Sequence, residues 1–403
     1  MDFIEQAGNA ARRKAPELRD WEAGHLSKIL APFYSSADLR VSDKKCAVVD
    51  TNIFPAGFNN LSAPFRSALG SLIKDALERK YPGTESVLIV PEVHTRNPYY
   101  WENIKTLEKV LLSRGFEARV GFIDDSVERE KISCETSGGE TVELAKIRSE
   151  GGKITAGGFT ADAVLLNNDF SDDCPSILRD VVQPIVPPVE IGWHSRRKDV
   201  HFEFYNSLAS EAAQICGIDP ASVQILTRPV EDVDFDEVDD RERVALAADG
   251  MTGEIKNGSE PFVFVKSNNG TYGMAVVSVA DGDAVRNMNA ENRKKMRAGK
   301  SKQPLRNVVV QEGVPTALRT TDGMPTEPVL YMVETQVAGA FYRANSRKDA
   351  QQNLNSSGME FRPFPDAVSG FQEIPELFSL CAKIAVIAAG YEIEKVMLEG
   401  GCE

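Results

Sequence analysis

The chain has 403 residues, room for about two to three domains, and its 42% hydrophobic and 26% charged residues exclude a disordered or fibrous chain. Its 46 Lys and Arg against 60 Asp and Glu leave a net charge of −14, whose field repels phosphate and argues against a general binder of nucleic acid or anionic membrane. No run approaches the ~18 apolar residues of a membrane span, MDFIEQAGNAARRK lacks the apolar core of a secretory signal, and scattered cysteines without a CxxC pair suit reduced thiols in a cytoplasm.

The opening stretch reads as helix, with Leu26, Ile29 and Leu30 at helical spacing and Pro32 as its stop. KKCAVVDTN (44–52) predicts a buried strand. Phe65, Leu69, Leu72, Ile73, Ala76 and Leu77 form the apolar face of a helix over 64–80, ended by Pro82 and Gly83. SVLIV (86–90) is a second strand, 101–114 a second amphipathic helix with Gly115 as its cap, and EARVGFID (117–124) a third strand. This alternation predicts a parallel sheet with helices packed on it. TVELAKIRSEGGKIT (141–155) reads as a hairpin turning at Gly151-Gly152. DAVLLNND (162–169) resumes the sheet and ends in polar residues, where open α/β sheets place ligands.

The second half changes character. EDVDFDEVDD (231–240) predicts a solvated loop or helix start. PFVFVKSNNGTYGMAVVSV (261–279) reads as strand, glycine loop, strand. RNVVVQEGV (306–314) and PVLYMVETQVAG (328–339) are further strands, and 373–390 a closing amphipathic helix. The expected fold class is therefore α/β and α+β, with the parallel-sheet domain first.

Lys266 ends an apolar strand, and Asn269, Gly270, Thr271, Tyr272 and Gly273 follow it. Glycines there let backbone N–H groups approach a phosphate chain, and the lysine adds positive charge. The pattern is not a Walker loop, because a strand rather than a helix follows. Gln311, Glu312 and Val314 end the next strand, where exposed backbone polar groups and a carboxylate suit adenine and its ribose. Glu334 reads as a carboxylate inside an apolar strand, either solvent-facing or coordinating a cation. Arg343 offers a planar multi-donor group for phosphate. Asn353 and Asn355, two apart on an expected strand, would share a face and offer oxygen to a hard cation. Arg196, Arg197 and Lys198 form the local basic cluster that an anionic substrate would need, and Asn52 and Asn59 are candidates for an amino-acid head group. His194 and His201 read as structural.

FVKSNNGTYGMAV, PVLYMVETQVAGAFYRAN, NLNSSGM, DTNIFPAGFNNL and GWHSRRKDVHF occur in one order across residues 50 to 360. Together they resemble a bacterial glutamate–cysteine ligase family of ATP-grasp type. The resemblance implies two lobes holding ATP: residues 206–305 with the glycine loop and 306–403 with the metal site. These would follow an N-terminal helical segment (1–40) and a substrate-side α/β domain (41–205). It implies ATP and Mg2+ as cofactors and phosphorylation of a glutamate side-chain carboxylate. Cysteine's amino group would then attack the acyl phosphate. Lys266, Asn269, Gly270, Thr271, Tyr272, Gly273, Gln311, Glu312 and Val314 would bind the nucleotide, and Glu334, Asn353 and Asn355 the metal. Arg343, Arg196 and Arg197 would serve catalysis, and Asn52, Asn59, Arg196 and Lys198 the substrate. The chain departs from the family pattern at Gln352 and Asn268, neutral amides where acidic residues are expected. Another amino-acid pair, a nucleotide-binding homologue without turnover and a kinase are the rival readings. Only a ligase makes phosphate release depend on an amine.

Overall fold

The opening helix breaks in two, α1 (Asp2–Arg13) and α2 (Ala15–Leu26), with Pro16 in the first turn of the second, where a missing N–H costs nothing. It ends at Leu26, so Ile29 and Leu30 lie beyond it. The computed structural model describes residues 2–93, 95–124, 126–170, 174–192, 194–255, 260–269, 275–297 and 306–399. In chain order follow β1 (Tyr34–Val41), β2 (Cys46–Asn52), α3 (Ala63–Lys80), β3 (Ser86–Pro91), α4 (Pro98–Leu112), β4 (Glu117–Phe122), β5 (Lys131–Glu135), β6 (Thr141–Glu150), β7 (Lys153–Ala156), β8 (Ala163–Asn167) and β9 (Ile185–Val186). The second half contributes α5 (Lys198–Cys216), β10 (Thr227–Val230), α6 (Val238–Glu254), β11 (Val263–Ser267), β12 (Val276–Val279), α7 (Gly282–Arg286), α8 (Ala290–Arg297), β13 (Val308–Glu312), β14 (Thr326–Val333), β15 (Gln336–Asn345), β16 (Met359–Pro363) and α9 (Glu376–Leu398).

The predicted parallel sheet is present: β3 pairs in parallel with β4 and β8. One expected member is elsewhere. The strand β2 pairs antiparallel with β1, in a five-stranded sheet of order β16-β15-β14-β1-β2. The cause is β1, which precedes β2 by a short connection and gives it a nearer partner. Its residues alternate: Ala37, Leu39 and Val41 lie in the apolar core, while Ser36, Asp38 and Arg40 lie on the opposite face. The core face packs on α1, α5 and α9, through buried side chains such as Leu377, Phe378, Ile384 and Ile387. Each such Leu or Ile stabilises the fold by roughly 1.5–3 kcal/mol.

PVLYMVETQVAG is not one strand. It is the hairpin of β14 and β15, and Glu334 sits in the turn with a left-handed φ of 48°. The strand β13 joins β10, β11 and β12 in a four-stranded sheet, so one sheet spans residues on both sides of position 306. In β11, Val263 and Val265 pack with α6, while Phe264 and Lys266 alternate onto the other face. The two antiparallel sheets meet there, because Lys266 Nζ donates to the Val49 carbonyl of β2 at 3.2 Å. The four-stranded sheet takes β13 from beyond residue 306, and the five-stranded sheet takes β1 and β2 from before residue 53. No helix among the described residues is long and apolar enough to cross a membrane.

Candidate active site

Between the two sheets lies a small cleft, about 60 Å³, lined by Lys266, Phe264, Arg40, Asp38, Asp50, Lys198, Glu327, Arg343, Asn353 and Asn355, among others. Lys266 is held from both sides: Nζ donates to Gln311 Oε1 at 2.6 Å and stands 5.3 Å from the Phe264 ring centre. Burial pushes its pKa down to about 8, with the Asp50 carboxylate opposing the shift. Gln311 and Glu312 are both buried on β13. Gln311 Nε2 donates to Thr227 Oγ1 at 3.2 Å, and Glu312 pairs with Lys45 at 2.5 Å. Val314 turns its side chain into the apolar core rather than toward the cleft. Asn269 Nδ2 donates to the Arg196 carbonyl at 3.0 Å. Gly270, Thr271, Tyr272 and Gly273 lie outside the described residues. Asn268 is buried against the start of α5, where its Oδ1 accepts from the Asp199 N–H at 3.0 Å. That oxygen satisfies a helix N-terminus, while the buried Nδ2 has no partner among the described residues.

The centre of the cleft is Arg343. Its Nη1 donates to Asp38 Oδ2 at 2.6 Å and to Glu327 Oε1 at 2.9 Å. Its Nε is buried without a hydrogen-bond partner among the described residues. Burial raises the pKa of Asp38; Arg343 opposes that shift and Glu327 adds to it. Arg40 completes the network, with Nε on Glu327 at 2.7 Å and Nη2 on the Gln352 carbonyl at 2.7 Å. Arg40 thereby anchors the segment that carries Asn353 and Asn355. Those asparagines are not on a strand: Asn353 Oδ1 accepts from the Asn355 N–H at 3.0 Å, an Asx turn, yet both line the cleft. Gln352 turns its side chain to the Asp349 N–H at 3.3 Å and is not among the lining residues.

A second, larger cavity of about 610 Å³ opens on the other side of Arg343. It shares Asp38, Asp50, Arg343 and Asn355 with the cleft. Asn52, Asn59 and Asn60 line it, together with Tyr331 and Phe341. Asn103 shapes it by accepting from the Gly57 and Phe58 N–H groups at 2.8 and 3.0 Å. Gly57 has a φ of 100°, and a Cβ there would stand 2.9 Å from the Tyr331 hydroxyl, so both conformation and space require glycine.

The comparisons with known proteins fall on this whole frame. The family model of glutamate-cysteine ligase matches residues 9–393. The chain belongs to the glutamate–cysteine ligase family. A solved structure from Methylobacillus flagellatus KT, provisionally named gamma-glutamylcysteine synthetase, is 32% identical with a TM-score of 0.85, covering 96% of this chain and 95% of that one. The D-alanyl-alanine synthetase A of Vibrio cholerae O1 biovar eltor (11% identity, TM-score 0.43) covers 75% of this chain and 80% of that one. A glutathione synthetase-like effector of Globodera pallida (10% identity, TM-score 0.43) covers 90% and 84%. Neither likeness is strong enough to bear on the argument. No curated protein matches. The enzyme is thus an ATP-dependent ligase.

Two expectations about this ligase's site need correction. Of the basic cluster, only Lys198 reaches the cleft, where it pairs with Asp50 at 2.7 Å. Arg196 is buried in a fork–fork pair with Glu392 (Nη2 to Oε2 2.8 Å) and donates to the Thr51 carbonyl at 3.0 Å. Burial works to raise the Glu392 pKa, but Arg196 and the adjacent His201 outweigh it and hold it down at about 2. Arg197 points to Asp199 and Glu231 at 2.7 and 2.8 Å. Both arginines therefore join α5 to its neighbours and line neither chamber.

Glu334 is the second correction. In its turn it pairs with Arg79 and, at 3.0 Å, with Lys80 at the end of α3, and it lines neither chamber. The carboxylate of β14 that lines the cleft is Glu327, at the other end of the strand and one residue outside the predicted one. Glu334→Gln is expected to lower stability by about 1 kcal/mol or less. Thermal denaturation and a magnesium titration of ADP release check this; a changed metal requirement would return Glu334 to the site.

Proposed function

We propose that the chain joins the side-chain carboxylate of glutamate to the amino group of cysteine, giving γ-glutamylcysteine, the first step of glutathione synthesis. A carboxylate oxygen attacks the γ-phosphorus of ATP and ADP leaves; the cysteine nitrogen then attacks the acyl carbon and phosphate leaves. One observation carries the reading: Arg343, fixed by Asp38 and Glu327, stands where the Lys266 cleft meets the amide-lined cavity. Its buried Nε, without a partner among the described residues, leaves a donor for the carboxylate or the transferring phosphoryl group. Lys266 would offset charge on the phosphates, and the Asn52 and Asn59 side chains would bind the amino-acid head group. No side-chain nucleophile is required.

Magnesium is commonly held through one or two carboxylates and substrate phosphates. Among the described residues no three His, Cys, Asp or Glu side chains cluster as a metal site. The oxygen donors Glu327, Asn353 and Asn355 line the cleft and suit a hard cation of that kind. Bound there, magnesium would supply charge neutralisation on the transferring phosphate. A reducing cytoplasm suits an enzyme whose Cys46 and Cys381 are buried thiols.

The test is coupled ADP release across amino-acid pairs with ATP and magnesium. Release that needs both glutamate and cysteine is expected. Release without any amine would make the protein a kinase, and no release at all would make it a nucleotide-binding homologue.

A further inference from the structure

We propose that Asp50 receives the α-ammonium group of glutamate and so separates this substrate from dicarboxylates that lack an amino group. The inference rests on the glutamate–cysteine reading above. Among the described residues lining the larger cavity, Asp38, Asp50 and Arg343 are the charged ones. Asp38 has both oxygens on Arg343, at 2.6 and 3.4 Å. Asp50 differs. Its Oδ1 accepts from Lys198, its Oδ2 accepts no hydrogen bond among the described residues, and its side chain is 37% exposed. It is the carboxylate with an oxygen to offer a ligand.

Position supports the same assignment. Asp50 lies opposite Asp38 in the β1–β2 register, and adjacent strands are about 4.8 Å apart. Asp38 in turn holds Arg343, which marks the reacting carboxylate. Glutamate's side-chain carboxyl carbon and its amino nitrogen are separated by three carbons, a span of the same order. Arg343 and Asp50 line the same cavity, so a substrate anchored on Arg343 can lay its ammonium on Asp50, with its α-carboxylate left to the amides of Asn52 and Asn59.

Chemistry decides which amine is held. The cysteine amine must lose its proton to attack, whereas the glutamate ammonium keeps its charge throughout. A permanent cation suits a carboxylate that is a poor base. Burial alone would raise the Asp50 pKa, but the ammonium groups of Lys198 and Lys266 outweigh it and hold the value below the ordinary one.

The experiment compares kcat/KM for glutamate and for glutarate, which lacks only the amino group, by ADP release with saturating ATP and cysteine. Wild type is expected to prefer glutamate by about 100-fold, the size of a lost charge-assisted contact, and Asp50→Asn to erase most of that preference. Asp50→Glu, which keeps the charge, is expected to retain more of the preference than Asp50→Asn. Equal losses on both substrates in Asp50→Asn, with the preference intact, would overturn the proposal and leave Asp50 as an anchor for Lys198. If Asp50→Asn does not fold, wild type decides alone: turnover of glutarate as good as that of glutamate overturns it. Absence of any glutamate-dependent release would instead overturn the glutamate–cysteine reading, and the proposal with it.

Discussion

Arg343→Met is expected to reduce kcat by about 1,000-fold, in the range seen when a preorganised cation is removed from developing phosphoryl or oxyanion charge. The guanidinium is positioned before substrate arrives, because Asp38 and Glu327 fix one of its nitrogens. Burial works against its charge, but these two carboxylates outweigh burial and keep it cationic. Substitution also leaves the buried Glu327 and the half-buried Asp38 without their shared partner, so the variant should melt at a lower temperature. Arg343→Lys separates the two effects. It keeps the charge and relieves the carboxylates, but it offers a point charge in place of a planar fork. It should recover most of the lost stability and little of the lost rate. A rate in Arg343→Met within tenfold of wild type, at a temperature where the variant is folded, would assign Arg343 to charge balance alone.

The Lys266 side of the cleft was legible in the sequence because its signals are local. A lysine closing an apolar strand, and a Gln-Glu pair closing another, are visible at single positions, and Lys266 meets Gln311 at 2.6 Å. Asp38, Arg40 and Glu327 were not found, although a signal existed for the first two. In YSSADLRV every second residue is polar, the pattern of a strand with one solvated or functional face. Reading 44–52 as the first strand of the parallel sheet left that stretch without a partner. Register is the reason such sites hide: Asp38, Asp50, Glu327 and Arg343 belong to four strands, β1, β2, β14 and β15, and no spacing along the chain announces that they converge.

Glu334 and the arginine cluster failed for a related reason. A carboxylate in an apolar run and a string of cations attract a functional reading, but each can be satisfied by a partner far away in sequence. Glu392 lies 196 residues from Arg196 and neutralises it in the interior. Glu334 was misplaced by one turn, because V-E-T-Q carries no Gly, Pro or Asn to mark a hairpin. Gln352, expected beside a metal, instead lends Arg40 its carbonyl and folds its amide back on Asp349.

Lys266→Met should raise the KM for ATP by about 100-fold, since a cation desolvated beforehand interacts strongly with phosphate. It should do so without unfolding the protein. The lysine is charged at neutral pH although burial lowers its pKa to about 8 from an ordinary value of 10.5. That shift corresponds to a burial cost on the order of 3 kcal/mol, which methionine does not incur. Loss of the contacts to Gln311 and the Val49 carbonyl offsets part of the gain. The melting temperature should therefore stay level or rise while nucleotide binding fails, the reverse of what a structural lysine would give. The pH dependence follows with a definite sign. Between the two pKa values the unfolded chain binds more protons than the folded one, so this residue's contribution to stability grows as pH rises through that window. Nucleotide binding runs the other way, because polyphosphate favours the charged lysine. ATP affinity should fall as pH rises from about 7 to about 10, and binding near the lysine's own pKa should take up a proton. Calorimetry in two buffers of different ionisation enthalpy measures that uptake, and Lys266→Met should abolish it. An unchanged KM for ATP, or proton uptake that survives the substitution, would place the phosphates elsewhere than over Lys266.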